Sequence, residues 1–127
     1  MMKKQLLFLI LLSIIYTACT QHTTKAIKLG IQGNWKLTAT LADIGDGKGT
    51  WTKSTGSDYA KFNTDGTITG TALTDAIHYK VIDSAHMELT IKHNAEPVIY
   101  RYQLNANTLT LQPPCREACG IRFIRVK

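Results

Sequence analysis

From Gly33 to the C-terminus the chain alternates apolar and polar residues with a period of two, and turn-forming clusters interrupt the pattern every few residues. That pattern suits strands that bury one face, and it suits little else. Trp35, Leu37, Ala39 and Leu41 alternate with Asn34, Lys36, Thr38 and Thr40. Tyr59-Ala60-Lys61-Phe62 leads into Asn63-Thr64-Asp65-Gly66 and out through Thr67-Ile68-Thr69. Asp-Gly between β-rich runs predicts a hairpin, because glycine accepts the positive φ such a turn needs. Ile77, Tyr79 and Val81 form the next alternation, then Met87, Leu89 and Ile91, with a turn at Asp83-Ser84-Ala85 between them. Val98, Tyr100, Tyr102 and Leu104 follow, then Asn105-Ala106-Asn107, Leu109 and Leu111, and finally Ile121 to Val126. The connections are short, so sequential strands are expected to pair antiparallel. An all-β, eight-stranded antiparallel up-and-down β-barrel removes the exposed edges of such a sheet, with an open sandwich as the alternative.

The N-terminus has a different character. Met1-Met2-Lys3-Lys4 precedes an apolar run from Leu6 to Tyr16 interrupted only by Ser13. The run is shorter than the roughly 20 apolar residues of a spanning helix, and its basic-then-apolar layout is that of a secretory signal. Thr17-Ala18-Cys19 resembles the bacterial lipobox, in which a diacylglyceryl group joins the cysteine thiol before cleavage, although Tyr16 replaces the usual aliphatic residue. The expected organisation is a signal peptide over residues 1–18 and a lipidated tether and lead-in over 19–32. The barrel domain then occupies residues 33–127. Lys25 to Ile31 reads as a short helical or irregular lead-in. The expected location is the cell envelope, lipid-anchored through Cys19 at a membrane. No acidic residue follows the cysteine to suggest inner-membrane retention, which favours the outer membrane.

The formal charge is +6, but Lys3 and Lys4 leave with the signal. Lys36, Lys61, Lys80, Lys92, Arg101 and Arg122 are scattered singly among β-type residues. A solvated outer face explains them, and nucleic acid is not an expected partner. With Cys19 lipidated, Cys115 and Cys119 remain as an even pair in an oxidising compartment, which predicts a structural disulfide. The spacing has one residue too many for a thioredoxin-type redox motif, and no second cysteine pair completes a zinc site.

Candidate sites are few. The longest irregular segment is expected from Ala42 to Ser57, and it carries Trp51, which either pins the loop or meets a ligand at the barrel mouth. Asp43 and Asp46 among glycines faintly suggest a calcium loop, but the spacing fails the EF-hand pattern. The inward set of Trp35, Leu37, Phe62, Tyr79, Leu89, Tyr100, Tyr102, Leu111 and Phe123 is large and aromatic. A barrel of eight strands is filled by such side chains or holds one small ligand. The hydroxyls of Tyr79, Tyr100 and Tyr102 need partners, either in the protein or in a bound molecule. His22, His78, His86 and His93 form no evident ligand pair, and no acidic partner is expected to complete a site with them. No nucleophile stands with a base at readable distance. Neither metal, cofactor nor enzymatic chemistry is expected.

Gly33-Asn34-Trp35-Lys36-Leu37-Thr38 resembles the G-x-W opening of lipocalin-type barrels. Together with Phe62-Asn63-Thr64-Asp65-Gly66-Thr67, Tyr102-Gln103-Leu104, Leu109-Thr110-Leu111 and Phe123-Ile124-Arg125, it makes the chain similar to small bacterial lipocalin-like domain lipoproteins, frequent in Bacteroidetes. The resemblance covers residues 31–127. It implies a calycin-like barrel whose mouth is closed by the loop after the first strand. It also implies a structural role for Gly33 and Trp35 at the closed end, with Arg125 over the tryptophan. The chain is shorter than secreted lipocalins and lacks their helix after the barrel. The expected function is binding of a small hydrophobic or amphipathic molecule, with Trp51, Tyr79, Tyr100 and Tyr102 as candidate contacts. The alternative is a non-catalytic structural or interaction module with a filled interior.

Overall fold

The computed structural model describes residues 30–127. The expected signal peptide, the expected lipidation site Cys19 and the expected tether up to residue 29 lie outside the described residues. Nine strands follow in chain order: β1 (Gly33–Ala42), β2 (Thr50–Lys53), β3 (Tyr59–Phe62), β4 (Ile68–Gly70), β5 (Ala76–Val81), β6 (His86–Ile91), β7 (Val98–Asn105), β8 (Thr108–Gln112) and β9 (Cys119–Val126). Eight of them form the wall of an antiparallel, nearly closed up-and-down barrel in the order β4-β3-β1-β9-β8-β7-β6-β5, and β2 hangs from β1 outside that path.

The first and last strands close the barrel along their whole length, from Asn34 opposite Val126 to Ala42 opposite Cys119. The remaining seam, between β4 and β5, is much lighter. It holds one bridge, Thr67 with His78, and the Tyr79 N–H donates to the Gly66 carbonyl at 2.8 Å. Inside the barrel the same seam is braced by Phe62 and Tyr79, edge to face with ring centroids 5.0 Å apart.

The predicted hairpin turn between β3 and β4 forms for the expected reason. Gly66 has φ +86°, and the Asp65 carboxylate accepts from the Thr67 N–H at 3.0 Å. The turn after β5 is closed by Asp83, which accepts the Ala85 and His86 N–H groups, each at 2.8 Å. The end of β4 depends on Gly70, at φ +123°, where any Cβ would collide with the Tyr59 carbonyl.

Trp35, Phe62, Met87, Leu89, Leu109, Leu111 and Phe123 are fully buried, and no polar side chain is buried among the described residues. Full burial of each aliphatic or aromatic side chain contributes about 1.5–3 kcal/mol, so these seven supply the main favourable term of the fold.

Two findings depart from the expected pattern. First, the segment from Ala42 to Ser57 is not one long loop. Thr50–Lys53 pairs with Ala39–Ala42 as a ninth strand, leaving a short glycine-rich turn between β1 and β2. Second, the alternation of β1 does not run through. Its register against β9 shifts between Leu37, opposite Phe123, and Ala39, opposite Arg122. This β-bulge adds one residue, and the Thr38 hydroxyl donates to the Arg122 carbonyl at 3.0 Å there. Because side chains alternate with period two, one extra residue transfers everything after it to the opposite face. Trp35 and Leu37 therefore point inward, whereas Ala39 and Leu41 point outward.

Candidate functional site

The barrel has two unlike ends, and each has its own polar arrangement. At the end where the lead-in enters, the backbone folds under the barrel as a plug. Ile31 is buried, and the Trp35 indole N–H donates to its carbonyl at 2.7 Å. The Arg125 guanidinium carbon sits 4.2 Å from the Trp35 ring centroid. Its two terminal nitrogens donate to the Gln32 and Gly30 carbonyls, both at 2.7 Å. Gly33, at φ +126°, lets the chain pass beneath, since a Cβ there would stand 3.0 Å from the arginine. Trp35, Gly33 and Arg125 thus form one structural clasp rather than a binding site.

The three inward tyrosines divide at this point. The Tyr79 hydroxyl donates to the Asn63 carbonyl at 2.7 Å. The Tyr102 hydroxyl donates to the Asp83 carbonyl at 2.8 Å. Both therefore fasten turns at the plugged end. Tyr100 is half-buried, and its hydroxyl has no hydrogen-bond partner among the described residues. Burial pushes the Tyr100 hydroxyl above its ordinary value, so it stays a neutral donor and acceptor at physiological pH.

Tyr100 lines a cleft of about 350 Å³ at the opposite end, the mouth. The link from β4 to β5 supplies Ala72, Leu73, Thr74 and Asp75, and the start of β5 supplies Ala76. Ile91, Asn94 and Val98 complete it from β6, the following turn and β7. Leu73, Ala76, Ile91 and Tyr100 also pack on the core, so the floor of the cleft is the upper surface of the buried cluster. The cleft opens where β4 has ended and the seam with β5 has no strand pairing above the Thr67–His78 bridge. An apolar floor with a few convergent polar groups is the usual composition of a small-molecule site.

Trp51 lies near the mouth end of β1 but on the outer face of the sheet. Its partner across the ladder is Leu41, and Leu41 lies opposite Gly120 on the outward side of the bulge. The indole covers Gly120, where a Cβ would come within 3.2 Å of the ring, and the Arg122 guanidinium stacks over it at 4.0 Å. Grouping Trp51 with the tyrosines in one ligand site is therefore corrected, because the sheet stands between them. Its position pins β2 to the outer wall.

A second cleft, of about 390 Å³, lies between Leu41–Asp43 and the loop closed by the Cys115–Cys119 disulfide. Gly49, at φ +75°, packs directly on Ala118 within that loop. The carboxylates suggestive of calcium are used by the turn itself. Asp43 accepts N–H groups of Gly45, Asp46 and Gly47 at 2.7 to 3.1 Å, which lowers its pKa. Asp46 accepts those of Lys48 and Gly49. Among the described residues no group of three or more His, Cys, Asp or Glu side chains comes together. His86 does have an acidic partner, contrary to the expectation, with its Nδ1 2.9 Å from the Asp83 carboxylate. The i, i+3 spacing across the turn was the signal for it. Both residues are exposed and remote from the mouth. The residues that sequence reasoning missed are Leu73, Asp75 and Asn94, which sit in connections where no alternation marks them.

No family model matches the chain, and comparison with curated proteins and with solved structures yields no match either.

Proposed function

We propose that the protein is a non-catalytic, lipocalin-like lipoprotein of the cell envelope, anchored through acyl chains on Cys19, that binds a small hydrophobic or amphipathic molecule at the barrel mouth. The observation that carries the binding reading is the mouth cleft, with its apolar floor and beside it the Tyr100 hydroxyl, which has no hydrogen-bond partner among the described residues. The anchoring reading rests on the order of Lys3-Lys4, the apolar run and Thr17-Ala18-Cys19. Burying each acyl CH₂ contributes about 0.8 kcal/mol, so two or more chains would hold the protein at an outer-membrane surface. Mass spectrometry of the N-terminal peptide tests the anchor: an acylated Cys19 is expected, and a mature chain with a free thiol there would refute it. A panel of apolar and amphipathic compounds, followed by thermal shift and by NMR of the Leu73 and Val98 methyls, tests binding. A panel with no effect on either would remove the binding reading.

The filled barrel core favours a second reading, a scaffold acting through its outer face. Crosslinking at Trp51 or the disulfide loop that recovers a protein partner, with a mouth that takes no ligand, would select it.

A further inference from the structure

We infer that the mouth cleft selects ligands with an uncharged hydrogen-bonding head, such as an alcohol or a ketone, over carboxylates and amines carrying the same apolar body. The inference rests on the small-molecule reading above and names its ligand class.

The lining carries the argument. Leu73, Ile91 and Val98 offer apolar surface, and Tyr100 and Asn94 offer neutral polar groups. Neither the Tyr100 hydroxyl nor the Asn94 carboxamide has a side-chain or backbone partner among the described residues, while Tyr79 and Tyr102 are both fastened to carbonyls. A hydroxyl and a carboxamide each donate and accept, so together they satisfy either a hydroxyl or a carbonyl head. No lysine or arginine lines the cleft, and Asp75 is its only charged lining residue at neutral pH. A carboxylate head would leave water without a cation to receive it and would face that acid. An ammonium head fares little better. Asp75 is exposed, and an ion pair with a solvated carboxylate gains too little to offset the desolvation of an ammonium on the apolar floor. An ionised head loses far more on desolvation than a neutral one, and no buried counter-charge in the lining compensates it.

The test is a titration of the purified full chain with 1-octanol, octanoate and octylamine, followed by NMR of the Leu73, Ile91 and Val98 methyls. Octanol is expected to bind at least about tenfold more tightly than either ion. Tyr100→Phe should weaken octanol by about three- to tenfold and leave the ions unchanged. Octanoate or octylamine binding as tightly as octanol, or a Tyr100→Phe variant that binds octanol undiminished, would overturn the inference while leaving the mouth as a binding site. If none of the three shifts those methyls, the small-molecule reading falls together with it.

Discussion

Replacing Arg125 by Met should loosen the plugged end without disturbing the barrel wall. Methionine keeps most of the aliphatic stem against Trp35 and removes the guanidinium. Three interactions go with it: the stack on the indole at 4.2 Å and the two hydrogen bonds at 2.7 Å to Gly30 and Gln32. A cation over a Trp face contributes about 0.5–2 kcal/mol. Charge-assisted hydrogen bonds to buried groups contribute about 1.5–3 kcal/mol each, but Gly30 and Gln32 are exposed and water can replace the donor there. About 0.5 kcal/mol for each is a suitable discount. Part of the sum is offset already, because the arginine Nε is buried without a partner among the described residues and methionine relieves that. The expected loss is about 2 kcal/mol. In urea this lowers the unfolding midpoint by about 1–2 M at unchanged slope, read by far-UV circular dichroism. Arg125→Lys keeps a charge but not the fork and should lose about half as much. A midpoint for Arg125→Met within about 0.3 M of the parent would refute the clasp as a stabilising unit.

Other outcomes follow from the same geometry. Gly70→Ala should cost more than about 3 kcal/mol, since a Cβ meets the Tyr59 carbonyl as well as an unfavourable φ, whereas Gly47→Ala, with open space around it, should cost about 1 kcal/mol in the same unfolding assay. Reducing the Cys115–Cys119 bridge, or replacing both cysteines by serine, should cost about 2 kcal/mol, and an unchanged melting profile would contradict that. Trp51→Phe should leave only Trp35, which is fully buried, so acrylamide quenching of the remaining fluorescence should nearly vanish. Asp83 has its pKa held below the ordinary 3.8, chiefly by the Ala85 N–H and then by the His86 side chain. Its stabilising effect is therefore complete above that value and lost as the pH falls below it, so Asp83→Asn should flatten the acid limb of a stability–pH profile.

Much of the fold was legible because the alternation that fills a barrel is also visible along the chain. Leu89, Leu111 and Phe123 fall inside by parity alone, and Asp65-Gly66 announces its hairpin. What escaped was set by partners distant in sequence. The bulge at Thr38 depends on a carbonyl of β9, and nothing between Trp35 and Leu41 marks a change of face. β2 has only four residues, and its reason to pair is the surface that Gly120 leaves open for Trp51. The three tyrosines share one parity, yet their roles separate according to which carbonyl lies within reach of each hydroxyl. Asn94 reaches the mouth from a turn, where side-chain direction follows no period.

The pairing of β1 with β9 also governs when this protein can fold. The most extensive ladder in the molecule joins the first strand to the last, from Asn34–Val126 to Ala42–Cys119. A growing chain holds the local pairings of β1 with β2 and β3 and the hairpins β5–β6, β6–β7 and β7–β8 early, but the other edge of its first strand waits for β9 until the last residues arrive. Contacts of such long sequence separation make folding slow, because the loop must be closed before the pairing stabilises it. During that interval β1 offers an unpaired edge to neighbouring chains. A truncation of only the final eight residues would make the wait permanent, and the incomplete chain should aggregate rather than persist as a smaller barrel.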